Sequence, residues 1–118
     1  MPEIRIKRVY EEPSAGDGYR ALVDRLWPRG IKKELLSHDL WAKELAPSTE
    51  ARKEFVHKAE NLPAFRARYL TELDSSEAAA RLADALLSHD VVTLLYAAKD
   101  SQVNHAVILK EWLDSRQG

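Results

Sequence analysis

Two short polar segments carry the side chains that could do chemistry in this chain. The first spans residues 24–30, Asp-Arg-Leu-Trp-Pro-Arg-Gly, and the second combines residues 98–100 with Asn104 and His105. Each segment follows an apolar run that is typical of a buried strand. Because ligands of an open parallel sheet bind beyond the carboxyl ends of its strands, the two segments predict one shared crevice.

The first segment combines a carboxylate with guanidinium groups. Asp24, at the end of a buried strand, can accept a proton, bind a metal or anchor loop amides. Arg25 and Arg29 carry planar guanidiniums that suit bidentate binding of a phosphate or carboxylate, and ion pairs with Asp24 or Glu44 are the alternative. The stretch 25–33 carries only basic charges, which either hold an anion or face solvent.

The second segment contains a histidine at the start of a predicted helix. The positive end of the helix dipole disfavours the imidazolium form and keeps the His105 ring neutral. A neutral ring can accept a proton or bind a metal, and a structural role in the core is the alternative. Lys99 could pair with an anion held at the free amides of that helix, or it could be solvated.

These residues make up the predicted site. We assign Asp24, Glu44 and His105 to catalysis, although an ordinary surface role is the favoured alternative for Glu44. The predicted ligand-binding residues are Arg25, Trp27, Arg29, Lys99, Asp100 and Asn104. The other histidines show no metal-ligand spacing, so we predict no metal and no cofactor.

Length and composition are those of one soluble globular domain, residues 1–118. The 18 Lys and Arg residues nearly balance the 19 Asp and Glu residues. No segment approaches the roughly 18 apolar residues of a membrane helix, and the N-terminus lacks the apolar core of a signal peptide, so we predict a cytoplasmic protein. The absence of cysteine excludes disulfides, thiolate metal sites and cysteine nucleophiles.

Apolar patterning predicts an α/β fold, with a mostly parallel sheet of about four strands flanked by helices. The predicted strands cover residues 4–10, at an edge, 19 to 24 or 25, and 91–97. Residues 39–45 are predicted as a further strand, and a helical turn is the alternative, because periodicity does not separate the two. The predicted helices begin at Pro47-Ser48, Asn61, Asp74 and about Gln102. Their predicted caps are Ser48, Asp74 in a capping box with Glu77, and either Asp100 or Ser101 for the last helix. The first helix is expected to extend to Ala59, and Trp112 is expected to pack in the core.

The same segments carry a family resemblance. Residues 18–30, 41–48, 94–100 and 104–106 resemble the YeaO-like branch of a bacterial family called domain of unknown function 488, over nearly the whole chain. In the wider family the first segment reads Val-Asp, a basic residue and Pro-Arg, which Asp24 and Arg29 match. The second ends there in Cys-His-Arg, of which this chain keeps only His105. The resemblance implies no established activity, and a cysteine chemistry is excluded here.

Two classes of function fit these residues. In an enzyme, the arginines would position an anionic small molecule or nucleotide while a carboxylate and His105 move protons, in a hydrolysis or a glycosyl-type transfer. In a binding module, the same crevice would hold a phosphorylated ligand without turnover. A nucleic-acid partner is not favoured because the overall charge is balanced, and no membrane partner is expected. A homodimer formed by apolar helices is a third alternative.

Overall fold

A parallel sheet organises the fold. The computed structural model describes residues 2–32, 34, 36–55, 58–100 and 104–117. In this part of the chain the strands are β1 (Glu3–Arg8), β2 (Tyr19–Leu22), β3 (Leu40–Trp41) and β4 (Val91–Tyr96). Neighbouring strands are parallel in the order β1-β4-β2-β3, which confirms the predicted α/β class and the sheet of four strands.

Strand β4 lies inside the sheet, between β1 and β2. All of its residues after Val91 are buried, which explains why this segment is almost wholly apolar. Strand β1 pairs only with β4 within the described sheet. Its alternation of Ile4 and Ile6 with charged residues is typical of a half-exposed strand, and the predicted edge position is confirmed.

Helices cover one face of the sheet. The α-helices of the described residues are α1 (Thr49–Phe55), α2 (Leu62–Asp74), α3 (Glu77–Leu86) and α4 (His105–Gln117). Buried side chains from each of them join one apolar cluster with residues of the strands. Trp112 of α4 belongs to this cluster, as predicted. None of these described helices has both the length and the apolar character needed to cross a membrane.

Loops cover the opposite face of the sheet. Because side chains alternate between the two faces of a strand, Leu94 packs against the helices while Leu95 points to this second face. The second, smaller apolar cluster on this face contains Val9, Leu22, Leu36 and Leu95, with Trp27, Ile31, Trp41 and Ala97 packed against it. The sheet therefore separates two apolar clusters that differ in size and in what covers them.

A buried polar cluster adjoins β2 on the same loop-covered face. Asp17, in the turn before β2, forms ion pairs with Arg20 and, at 3.2 Å, with Lys7. The amide and hydroxyl of Ser14 donate to the Asp17 carboxylate at 3.0 and 2.9 Å. The Thr93 hydroxyl donates to the backbone oxygen of Asp17 at 2.6 Å. Burial alone would raise the pKa of Asp17, but the hydrogen bonds from Ser14 and the hydrogen bond and charge of Lys7 lower that pKa well below its usual 3.8.

Several predicted boundaries differ from those in the structure. Strand β2 ends at Leu22 instead of at Asp24 or Arg25. Of residues 39–45, only Leu40–Trp41 form a strand and Lys43–Leu45 form a 3₁₀ turn, so each of the two alternatives describes part of this segment. Ala59, expected on α1, lies in a separate 3₁₀ turn, Ala59–Asn61. Short apolar runs and four-residue spacings persist across such breaks, so periodicity alone does not reveal them.

The cap of α3 differs from the prediction, whereas the cap of α1 is confirmed. Ser48 accepts a hydrogen bond from the first turn of α1 at 3.1 Å. Asp74, expected to cap α3, is instead the last residue of α2, and its carboxylate accepts from Trp112 Nε1 at 2.9 Å. Ser76 caps α3 by accepting from Ala79 N at 3.1 Å. Ser76, two residues after Asp74, thus makes the capping hydrogen bond that was predicted for Asp74.

Asn104 makes the capping contact of α4. Its Oδ1 accepts from Val107 N at 3.1 Å, and its Nδ2 donates to the Asp100 backbone oxygen at 2.7 Å. For the helix that begins at His105, the described capping contact thus comes from Asn104 and not from the predicted Asp100, whose backbone oxygen accepts from the Asn104 amide. Ser101 and Gln102, the other predicted cap and the predicted first residue, lie outside the described residues.

Candidate functional site

A pocket of about 340 Å³ opens at the carboxyl ends of β2 and β4. The segments that follow these two strands form part of its wall, at residues 24–29 and 97–98, and His105 from the start of α4 joins them. Additional lining side chains are Tyr10, Pro47, Arg52, Phe55 and Phe65. The volume falls in the range of small-molecule sites, roughly 300–1,000 Å³.

Asp24 ties the pocket to three strands. Its Oδ2 accepts from Ala97 N, just beyond β4, at 3.0 Å, and its backbone oxygen accepts from Trp41 Nε1 of β3 at 2.9 Å. Asp24 itself follows β2 by two residues, so its carboxylate holds together the ends of neighbouring strands. This geometry supplies the amide-anchoring role, which was one of the three alternatives for Asp24.

His105 contacts the same end of β2. Its Nε2 lies 3.0 Å from the backbone oxygen of Val23 and 3.3 Å from Oδ1 of Asp24. Because a carbonyl oxygen can only accept, Nε2 carries the proton in this contact. The Tyr69 ring packs edge-on against the imidazole with 6.2 Å between ring centroids. These contacts fix the orientation of the imidazole at the pocket wall.

Tyr69 completes the support of this histidine from α2. Its hydroxyl donates to the backbone oxygen of Leu45, and burial raises the pKa of that hydroxyl well above its usual 10.0. The residue is therefore neutral at physiological pH. It fixes the packing between α2, the 3₁₀ turn and the His105 ring.

Three arginine residues line the pocket. Arg25 and Arg29 come from the loop after β2, and Arg52 comes from α1. All three residues are exposed, and among the described residues no carboxylate lies within ion-pair distance of them. The wall of the pocket thus carries positive charge that the described part of the protein does not neutralise by contact.

The loop that carries Arg29 is held in place by hydrogen bonds. The Tyr10 hydroxyl donates to the backbone oxygen of Arg29 at 3.0 Å, and Trp27 Nε1 donates to the backbone oxygen of Ile31 at 2.6 Å. Gly30 has φ of +78°, which lets the chain turn directly after Arg29. The backbone next to the guanidinium is therefore positioned by the protein itself.

Aromatic rings line the pocket from both sides of the sheet. Phe55 and Phe65 belong to the helical cluster and stack with 4.3 Å between their centroids. Trp27 packs against the loop-side cluster, where Trp41 meets its ring edge to face at 5.2 Å. The pocket therefore lies at the rim of the sheet, where the two apolar clusters approach each other.

The structure brings together some of the predicted site residues and separates others. The pocket is lined by Asp24, Arg25, Trp27, Arg29 and His105. Glu44 is exposed and lines a different hollow of about 320 Å³, which it shares with Arg25. Lys99 and Asp100 are exposed and outside the pocket wall, and Asn104 is fully buried with both polar atoms of its amide engaged in the cap of α4.

Sequence reasoning missed several residues of the pocket wall. Tyr10 belongs to the predicted first strand and Arg52 and Phe55 to the predicted first helix, and none of the three has a predicted role in the site. Their arrival at the pocket depends on how α1 and the end of β1 lie against the rim of the sheet. A basic residue next to an apolar helix face was the only local signal, and many solvated helices carry it.

The described residues around the pocket form no metal site. Among the described residues, no group of three or more His, Asp or Glu side chains is arranged to hold a metal ion. His38 and His89 make ring contacts with Trp27 and Tyr19, at 5.4 and 3.9 Å between centroids. Those contacts give both histidines packing roles.

The fold and this pocket define a small α/β protein whose candidate site lies at the carboxyl ends of parallel strands. Residues 3–117 match the model of a sequence family described as the inactive DUF488-N3 subclade, and the chain belongs to that family. The resemblance found in the polar segments is thereby confirmed.

Curated relatives cover nearly the whole chain. The uncharacterised protein YeaO of Escherichia coli strain K12 is 50% identical over 113 residues, which are 95% of this chain and 97% of YeaO. The uncharacterised protein Rv3073c of Mycobacterium tuberculosis strain H37Rv is 40% identical over 113 residues, which are 96% of this chain and 95% of that protein. No solved structure gives a significant match.

Proposed function

We propose that this protein binds an anionic small molecule in the pocket at the carboxyl ends of β2 and β4, called the rim pocket below, and does not turn it over. The observation that carries the proposal is the set of exposed guanidiniums, Arg25, Arg29 and Arg52, around a pocket with an apolar wall. Guanidinium groups offer planar pairs of donors that match the oxygens of a phosphate or carboxylate. The chain carries a net charge of only −1, so the positive charge belongs to this site and not to the whole surface.

The start of α4 adds to the attraction. His105 is both the first residue of α4 and part of the pocket wall, so the positive end of the helix dipole faces the pocket region. Arginine side chains and helix amides together are the groups that hold anions in many proteins. This arrangement supports an anion in preference to a neutral ligand.

The residue at position 104 supports binding without turnover. The resemblance described above implies a Cys-His-Arg segment in the wider family, where this chain has Asn104 before His105. Asn104 has no exposed surface, and its amide caps α4 instead of facing the pocket. The description of the family as an inactive subclade points the same way.

The contact between Asp24 and His105 keeps proton transfer as a second candidate. The carboxylate lies 3.3 Å from Nε2, and such a pair can hold an imidazole in one orientation for acid–base work. Hydrolysis or glycosyl-type transfer at a nucleotide is the reaction that this pair would serve. For both candidate functions we propose a cytoplasmic location, where anionic metabolites are abundant.

Thermal denaturation in the presence of anions tests the proposal. We expect inorganic phosphate, a nucleoside monophosphate or a dicarboxylate to raise the melting temperature, since a ligand at 100 times its Kd stabilises the native state by about 2.7 kcal/mol. Arg29→Ala should abolish the rise while the melting temperature without ligand changes by no more than a few degrees. Arg81→Ala is the matched control, because Arg81 is an exposed arginine of α3 outside the pocket.

The outcomes separate the alternatives. If no anion stabilises the protein, or if Arg29→Ala and Arg81→Ala reduce the effect equally, the binding proposal is wrong. If an anion binds and is consumed when incubated with the protein, the claim of no turnover is wrong. Loss of that consumption in His105→Gln would then assign the reaction to the Asp24–His105 pair.

A further inference from the structure

We infer that the ligand of the rim pocket is an aromatic acid: a planar ring joined through a short link to one phosphate or carboxylate. The ring would lie against the inner wall and the acidic group at the mouth. This inference rests on the proposed binding function and adds the chemical class and orientation of the ligand. It draws on how charge and apolar surface are distributed within the pocket.

The inner wall of the pocket is apolar. Phe55 and Phe65 are each only 2% exposed, and Pro47 beside them is buried as well. An acidic group placed against these side chains would lose its hydration without gaining a donor. A flat ring placed there would remove its own apolar faces from water and pack against apolar side chains.

The charges of the pocket are arranged from inside to outside. The Asp24 side chain is 17% exposed, and the His105 side chain in contact with it is 12% exposed. Arg25, Arg29 and Arg52 are instead exposed residues. A ligand anion is therefore repelled by the carboxylate on the inner side and attracted by the guanidiniums at the mouth, which leaves one favourable orientation.

Aromatic residues continue to the mouth on the loop side. Trp27 is held by its hydrogen bond to Ile31 and by edge-on contacts with neighbouring rings. Tyr10 is 48% exposed, yet its hydroxyl is held by Arg29 O and its ring is covered on one side by the Arg8 guanidinium at 4.9 Å. Ordered rings at a pocket mouth give a planar ligand contact area at low cost in side-chain entropy.

This distribution disfavours two simpler ligands. A bare phosphate would use the arginines but make no apolar contact with Phe55 and Phe65. An aliphatic dicarboxylate would place its second charge against that wall and near Asp24. An aromatic acid satisfies both parts of the pocket with one charge and one ring.

Calorimetric titration with a matched pair of ligands tests the inference. We expect phenyl phosphate to bind at least about tenfold tighter than methyl phosphate, because the two share an acidic group and differ in the ring. Benzoate and adenosine monophosphate separate the two sources of such a ligand, aryl acids and nucleotides, and tight binding of either supports the shared chemistry. Nuclear Overhauser effects should connect the ring protons of phenyl phosphate to Phe55 and Phe65. Arg29→Ala should lower the affinity of the protein for every phosphate tested.

Failure of this inference is distinguishable from failure of the proposed function. If phenyl and methyl phosphate bind with equal affinity and Arg29→Ala abolishes both, the inference of an aromatic ligand is wrong but the proposed anion binding stands. Ring contacts to surface residues outside the pocket would overturn the orientation. If none of these anions binds, the proposed function and this inference are both wrong.

Discussion

Two groups of basic side chains, one beside the start of β2 and one in the loop after it, differ in how their charge is balanced. Lys7 and Arg20 share the carboxylate of Asp17, and the side chains of Arg20 and Asp17 are each only 6% exposed. Arg25 and Arg29, a few residues further along the chain, are exposed and lie within ion-pair distance of no described carboxylate.

This difference separates charge that maintains the fold from charge that is available to a ligand. A buried charge must be paired and hydrogen-bonded, and removal of one partner leaves the other uncompensated. An exposed guanidinium stays hydrated and costs little stability when it is removed. We therefore expect changes in the first group to affect unfolding and changes in the second to affect binding.

The largest expected effect compares two glycines, one in each region. Gly18 follows Asp17 with φ of +64°, and a Cβ there would clash with Val91 O and lie 2.7 Å from Val91 Cβ. Gly30 follows Arg29 with φ of +78° and has open space around it. Gly18→Ala should destabilise the protein by more than about 3 kcal/mol, whereas Gly30→Ala should cost about 1 kcal/mol from backbone strain alone. Urea unfolding measures both.

Equal losses in the two glycine variants would contradict this expectation. They would mean that β2 and β4 can separate at Gly18 without penalty. The Asp17 cluster would then not be held as tightly as its contacts indicate.

The next largest effect concerns Asp17 itself. Asp17→Asn should lower the free energy of unfolding at pH 7 by about 3 kcal/mol, since it leaves Arg20 without its buried partner. The pKa of Asp17 is lower in the folded protein than in the unfolded chain, so its contribution is present above about pH 4 and lost as the pH falls further. The difference between wild type and variant should therefore shrink from pH 5 to pH 2.5.

Urea unfolding over that pH range measures the difference, with Asp84→Asn as the control. Asp84 pairs with Arg116 at 3.5 Å, but its side chain is 77% exposed, so its replacement should change little at any pH. If the difference in unfolding free energy between wild type and Asp17→Asn does not change with pH, Asp17 does not stabilise the fold through its charge.

The smallest expected effect concerns the loop of the second region. Tyr10→Phe removes the hydroxyl that holds Arg29 O and should cost less than about 1 kcal/mol of stability, because Tyr10 is half exposed. Affinity for phenyl phosphate should nevertheless fall by about two- to fivefold, since Arg29 is less well positioned. Tyr19→Phe, at the opposite end of the sheet, is the matched control and should leave affinity unchanged. Unchanged affinity in both variants would show that the Tyr10 anchor does not position the guanidinium.

The elements that could be predicted are those whose local pattern reports their burial. The continuous apolar run of β4 and the alternation in β1 each identify a strand and its place in the sheet. The two-residue β3 has no such pattern, because its pairing depends on where the long loop after Val23 returns to the sheet. Ser76 replaced Asp74 as a cap for a similar reason, since Trp112, distant in sequence, occupies the Asp74 carboxylate.

The part of the candidate site that could be predicted consists of residues that directly follow the strands. Asp24, Arg29 and His105 line one pocket because β2 and β4 are parallel neighbours, which the apolar runs already indicated. Arg52 and Phe65 reach the same pocket only through the packing of α1 and α2. Glu44 carries a suitable side chain but faces a different hollow, because the 3₁₀ turn rotates it away from the rim.

The position of β1 at the border of the sheet has a consequence for self-association. A border strand presents backbone donors and acceptors that can recruit a strand from another molecule. In β1 every residue except Ile4 and Ile6 is charged, and Glu3 and Arg5 form an ion pair along its length. Such a charged border resists strand addition, so aggregation by sheet extension is disfavoured, and a homodimer would have to form through another surface.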